Sequence, residues 1–264
     1  MKVSDIKLPN VRKLFIPDTG HIIIDCDLSG ADAQVVAWEA NDKDLMTAFQ
    51  AGLKIHIKNY EDMYNKKFEP IDKTRVLPGH VYSAYDEMKR AVHATNYGGS
   101  AKTVAYTLGW KIRDAEQFQL RWFSLHPAIH EWHRRIKFDL QTTRKVTNKF
   151  GYRRVYFDRV EGLLPQALAW IPQSTIGLVA ANAGIKLRKI PFLKILMQVH
   201  DSLVFQVPLS HFTQENISTI KSALNVTVPY STPLNIPWEI AVSTKSWGDC
   251  QKIKWDLSDW DKNK

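Results

Sequence analysis

The spacing of apolar residues changes period several times along this chain, and each change marks an element. "HIIIDCDL" (21–28), a β-rich run behind the turn "PDTG", predicts a strand. "SGADAQVVAWEA" (29–40) then takes up helical spacing, with Ser29 as the prospective N-cap. Two amphipathic helices are expected over 42–51 and 55–65, and "KKFEPIDKTRVLPGHV" (66–81) has Pro and charge without a period, so it reads as a loop. "SAYDEMKRAVHATNYGG" (83–99) opens on acids and closes on Gly-Gly, a helix with both its start and its stop. Helices over 101–108, 114–124 and 127–143, a hairpin over 145–157 and a helix over 173–189 follow. A hairpin over 193–207, a helix over 211–224 and the strand "IPWEIAVS" (236–243) complete the reading. The strands stand apart from long helical blocks, so the expected class is α+β rather than repeated βαβ.

Composition narrows the partners. At 264 residues, with 44% apolar and 11% aromatic positions, the chain has the material for one large domain or two packed subdomains, and wholesale disorder is excluded. Its longest apolar stretches, such as "GLVAANAGI" (177–185), are too short to cross a bilayer, so no membrane partner is expected. "MKVSDIKLPNVRK" has no apolar leader, and Cys26 and Cys250 make neither a disulfide framework nor a zinc site. The expected location is therefore a reducing, cytoplasmic one. The formal charge of +9 favours a polyanionic partner. "HRRIKFDLQTTRKVTNKFGYRR" (133–154) concentrates that charge, first on what reads as a solvated helix face and then on a basic hairpin suited to a nucleic-acid backbone.

Two segments carry candidate chemistry. In "QVHDSLVFQV" (198–207), His200, Asp201 and Ser202 interrupt an apolar run at a hairpin tip. Taken alone, this is equally an ordinary polar turn. Asp27 stands where a strand gives way to a helix. If the two strands are neighbours, Asp27 and Asp201 meet at one sheet edge, where their repulsion calls for a cation between them. Hard divalent magnesium suits two carboxylates and a phosphate, and a pair of such ions serves phosphoryl transfer. On the 83–99 helix, Lys89, His93 and Tyr97 recur every four residues and share a face. A cation, an imidazole and a ring in line suit a triphosphate and its nucleoside, while a core-facing Tyr with two solvated neighbours is the structural alternative.

The ordered set of motifs resembles the family A DNA polymerases, the DNA polymerase I group. "DLSGAD" (27–32) resembles motif A, Asp-x-Ser-x-x-Glu. "KRAVHATNYG" (89–98) resembles motif B, Arg-x-x-x-Lys-x-x-x-Phe/Tyr-Gly, and "HDS" (200–202) resembles motif C, His-Asp-Glu. "GLKIHIKNYEDMY", "FGYRRVYF" and "IPQST" echo further family segments in the expected order. The resemblance implies an antiparallel polymerase palm over about 9–40 and 145–264, with helical fingers over 41–144. It assigns Asp27 and Asp201 to two magnesium ions. His56, Lys89 and His93 fall on positions that contact the incoming nucleotide's phosphates, Tyr97 on the one that stacks against base and sugar, and Asp32 on the one that crowds the ribose 2′-hydroxyl. Gln173 and His200 fall near primer and template, and Arg153 and Arg154 on backbone contacts. The implied reaction is template-directed addition of deoxynucleoside triphosphates to a primer 3′ end on primer–template DNA.

The chain also departs from these patterns. Lys89 stands for Arg, His93 for Lys, Asp32 for Glu, and Ser202 removes a third carboxylate. Tyr rather than Phe at position 97 implies acceptance of dideoxynucleotides. Only a short segment precedes Asp27, so a thumb and an exonuclease domain are expected to be absent; either a second polypeptide supplies them or the chain is a fragment. The compact, variant motifs suggest a phage or viral type, and hence a bacterial host's cytoplasm. Two other readings remain: a single-subunit RNA polymerase-like enzyme, against which the acidic Asp32 argues, and a non-catalytic DNA-binding remnant of a polymerase.

Overall fold

The structure, a computed structural model, describes residues 9–158 and 162–260. In chain order, β1 (His21–Leu28) is followed by α1 (Ala31–Ala40), α2 (Lys43–Gln50), α3 (Ile55–Tyr64) and α4 (Ala84–Asn96). Next come α5 (Ala101–Leu108), α6 (Ile112–Leu125), α7 (Pro127–Thr142), and the hairpin of β2 (Lys145–Thr147) and β3 (Arg153–Val155). The remainder comprises α8 (Leu164–Leu187), β4 (Lys194–Val199), β5 (Ser202–Pro208), α9 (Gln214–Leu224), β6 (Thr227–Val228), β7 (Leu234–Asn235), β8 (Trp238–Ser243) and β9 (Gln251–Ile253). Helices grouped apart from an antiparallel sheet make the class α+β, as expected.

The chain divides into two compact units. One comprises the described parts of Met1–Ala31, Ile176–Pro229 and Pro233–Lys264. It is organised by a five-stranded antiparallel sheet in the order β4-β5-β1-β8-β9. Strand β1 lies in the middle because it is apolar enough to be covered on both faces: Ile22, Ile23, Ile24 and Cys26 are all fully buried. The alternation of a strand puts Ile23, Asp25 and Asp27 on one face, so the polar side chains emerge only towards the end of the strand.

The other unit comprises the described parts of Asp32–Thr175 and Tyr230–Thr232 and is mainly helical. Trp122, Trp132, Ile129, Leu140, Met88 and Leu108 form the heart of its core. Helix α4 starts where the Ser83 side chain accepts from the Asp86 amide, and it stops at Asn96. Gly98 there takes φ +72°, a left-handed turn. A Cβ on Gly99 would lie 2.8 Å from the Ala94 carbonyl oxygen. Asn96 anchors this end twice, since its side chain accepts from the Trp122 indole at 2.8 Å and its carbonyl oxygen is 2.8 Å from His133 Nε2.

Three expectations shift. The helix begins at Ala31, so Gly30, at φ +59°, directly precedes it in place of Ser29, whose amide donates to the Pro237 carbonyl and whose hydroxyl donates to Glu239. Helix α8 begins at Leu164 and continues through Pro172, where the sequence reading starts the helix. Just beyond the proline, the Ser174 and Thr175 hydroxyls both donate to the Ile171 carbonyl. Within the expected loop, Pro70–Lys73 forms a 3-10 turn closed by a Glu69–Asp72 capping box.

Candidate active site

The sheet edge is built by register. Asp27 pairs directly with Ser202, the first residue of β5, and the Leu28 amide donates to the Asp201 carbonyl at 3.3 Å. Asp201 occupies the β4–β5 turn, which His200 enters with φ +55°, a left-handed conformation in which His is uncommon but tolerated. The two aspartates therefore share one edge of the sheet. A cleft of about 300 Å³ opens there, lined by Asp25, Asp27, Asp201 and Glu239 together with the cations Arg12 and Lys252.

Its electrostatics are dominated by like charge. Partial burial, followed by the charges of Asp201, Asp25 and Glu239, pushes the Asp27 carboxyl up to about 6, with Lys252 opposing. Asp25 is bound at both oxygens: the Ser202 hydroxyl donates to one and the Trp247 indole to the other, at 2.7 Å. Trp247 is held in turn by the Arg12 guanidinium, 4.5 Å from its ring centre, and by the edge of Phe15. Lys252 pairs with Glu239. This donor set of hard carboxylate oxygens, crowded enough to repel one another, fits a hard divalent cation.

The helical unit carries the second constellation. Lys89 and His93 stand on the exposed face of α4, and Tyr97 caps its C-terminal end. The His93 ring meets Tyr97 edge-on at 4.3 Å, and the Tyr97 hydroxyl donates to the Asp32 carboxylate. His56, on α3, meets Tyr85 edge-on. Burial and the charges of Lys89 and His93 hold His56 down at about 4, and its Nδ1 is buried without a partner. His93 is also lowered, by burial first and by Lys89, against the pull of Asp32. Burial, then Asp32, raise the Tyr97 phenol far above its ordinary value. Two imidazoles held down beside one ammonium form a group whose protonation a nearby anion would favour.

The structure thus joins Asp27 with Asp201, and Asp32, His56, Lys89, His93 and Tyr97 with one another. Arg153 and Arg154 are exposed on the β2–β3 hairpin, Arg154 lying over the Tyr156 ring at 4.9 Å; Gln173 is exposed on α8 and His200 at its turn. Sequence reasoning missed Asp25, Glu239, Arg12 and Trp247. Asp25 was recoverable, because it lies two residues before Asp27 on the same face of a strand. The others come from segments remote in sequence. Asp42, Asp44 and His126 also lie close enough to suit an ion, but Asp42 caps α2 and binds His126 at 3.0 Å, while Asp44 is paired with Lys58 at 2.6 Å.

Residues 3–249 match the protein family described as DNA polymerase family A. The thermostable DNA polymerase I of Thermus filiformis is 28% identical over 90% of this chain and 28% of its own length. The DNA polymerase I of Treponema pallidum is 23% identical over 90% of this chain and 24% of its own. A DNA polymerase of Mycobacterium phage D29 is 26% identical over 75% of this chain and 31% of its own. Among solved structures, the POL domain of Pol1 from M. smegmatis, in complex with DNA primer-template and dNTP, superposes with a TM-score of 0.74 at 20% identity, over 93% of this chain and 44% of that one. The chain thus spans about a quarter to a third of these curated relatives. A second polypeptide finds no support in these matches. No described helix is long and apolar enough to cross a membrane.

Proposed function

The chain belongs to DNA polymerase family A, and on that premise we propose that it is the catalytic core of a template-directed DNA polymerase, extending a primer 3′ end with deoxynucleotides. The observation that carries the proposal is the meeting of Asp27 and Asp201 at one sheet edge, where burial and then the charges of Asp201, Asp25 and Glu239 raise Asp27 to about 6. In this reading the sheet with its strand ends is the palm and the helices from α2 to α7 are the fingers. The mainly helical unit takes in 32–40 and 145–175, so a palm of 9–40 and 145–264 would draw residues from both units.

Asp27 and Asp201 would hold two magnesium ions, which when bound supply charge neutralisation for the attacking and leaving oxygens. The rest falls to the chain's own groups. Lys89 offers an ammonium to the triphosphate, and His56 and His93 add protonated donors once the anion is present. Tyr97 presents its ring to the nucleoside while its hydroxyl is engaged by Asp32. That contact places an acid against the ring that packs on the sugar, which supports selection for deoxyribose. Arg153 and Arg154 offer charge to a DNA backbone, and Gln173 and His200 offer polar contacts to primer and template.

Primer extension on a primed DNA template with magnesium tests this. Deoxynucleotide incorporation is expected, falling at least about 10³-fold in Asp27→Asn. Extension with ribonucleotides instead would move the chain to the RNA polymerase-like reading. Tight DNA binding without turnover under any magnesium concentration would make it a binding remnant.

A further inference from the structure

Asp25 is a costly residue at its position. It stands on the same face of β1 as Asp27 and in the same cleft as Asp201 and Glu239. The fold does not need that charge. A neutral amide in its place can still accept from the Trp247 indole through its oxygen while its NH2 donates to the Ser202 hydroxyl, which accepts as well as donates. Neither of its direct partners across the sheet is a cation: Asp25 faces Val204 on β5 and Ala241 on β8. A third anion added to a repelling pair lowers the free energy only when a cation compensates it, and of the two cations lining the cleft Lys252 is paired with Glu239 and Arg12 lies over the Trp247 ring.

The contact with Ser202 shows how the anion is held. Ser202 is the direct partner of Asp27, so its bond to Asp25 runs diagonally across the two strands, within the reach of such neighbours. The indole fixes the second oxygen, and Arg12 and Phe15 hold the indole. Ser202 occupies the position where the motif that "HDS" resembles carries an acid. Here strand β5 provides a hydroxyl and strand β1 provides the carboxylate.

We propose that Asp25, clamped by Ser202 and Trp247, is a positioning residue that supplies the third negative charge of the Asp27–Asp201 edge and sets how tightly that edge holds a divalent cation. The inference rests on the reading that Asp27 and Asp201 bind such ions, and the test separates the two. Mn²⁺ is titrated into the full chain without nucleotide, and the free ion is followed by its electron paramagnetic resonance signal, with the metal-free melting temperature measured alongside. Asp25→Asn is expected to weaken Mn²⁺ binding about tenfold, to melt no lower than wild type without metal, and to be rescued by Asp25→Glu. Ser202→Ala, which keeps the charge but frees one oxygen, is expected to lose about threefold. Wild-type Mn²⁺ affinity in Asp25→Asn, with binding lost in Asp27→Asn, would overturn the role of Asp25 and leave the metal reading standing. Unchanged binding in Asp27→Asn would overturn both. An Asp25→Asn protein that melts below wild type, or does not fold, would make Asp25 a structural residue and overturn the proposal.

Discussion

The acidic sheet edge and the basic helix face are assembled by opposite means. On α4, Lys89 and His93 and then Tyr97 line up because one turn of helix brings every fourth residue to the same side. At the sheet edge, Asp27 and Asp201 come from opposite halves of the chain and meet only because β1 pairs with β5 in a single register. A slip of one residue would turn Asp27 to the other face. The helix face is therefore a local construction, tolerant of distant change, while the sheet edge depends on long-range pairing. Their electrostatics also oppose. The edge crowds several carboxylates together, while the helix face holds two imidazoles whose protonated forms are disfavoured.

The sharpest way to break this comparison is to remove the one permanent cation of the helix face. Lys89→Ala removes a charge-assisted contact of about 1.5–3 kcal/mol. It should raise the KM for deoxynucleotides about 10- to 100-fold while Mn²⁺ binding at the sheet edge stays at the wild-type level. Steady-state extension together with a metal titration reads both, and a parallel loss of metal binding would show that the two regions are not independent.

A smaller effect comes from pH, and the two regions should respond with opposite sign. His56, at about 4, and His93, also lowered, are neutral at pH 7. A triphosphate favours their protonated forms, so binding takes up protons and strengthens as pH falls. KM is expected to drop by several-fold from pH 8 to pH 6. Asp27, raised to about 6, goes from almost fully ionised at pH 8 to about half protonated at pH 6 when no cation is bound. The maximal rate should therefore fall towards pH 6, and added magnesium should shift that fall to lower pH. Rate and KM profiles at two magnesium concentrations check both limbs; a KM that rises on acidification would refute the imidazole role.

The smallest expected effect concerns the helix start. Ser83 caps α4 through the Asp86 amide, and Ser83→Ala should cost about 1 kcal/mol of stability. Thermal denaturation measures it, and the local character of the helix face predicts that KM then changes little.

Much of this was readable from periodicity. The runs at 21–28 and 83–99 announced β1 and α4, and Ser83 with Asp86 and Glu87 marked the helix start. Misreadings arose where a distant contact overrode a local signal. Ser29 looks like an N-cap, but α1 starts at Ala31, after Gly30 at φ +59°, while Ser29 is tied to β8's lead-in through the Pro237 carbonyl. Pro172 looks like a helix start, but α8 runs through it, with Leu168 and Ile171 buried on the near side and Thr175 and Ile176 on the far side. The short strands β6, β7 and β9 have too few residues to show any alternation.

By itself, the sequence determined the α+β class, the helix presenting Lys89, His93 and Tyr97, and the ordered motifs that place the chain in its family. These depend on spacing within a few residues, where backbone geometry alone decides which side chains share a face. Tertiary structure alone decided that Asp25 is tied to Ser202 and Trp247, that Asp27 is raised, and that two imidazoles are kept neutral. Each of these arises from burial and from charges brought in by remote segments, and a free energy that depends on distance through space is not written in distance along the chain.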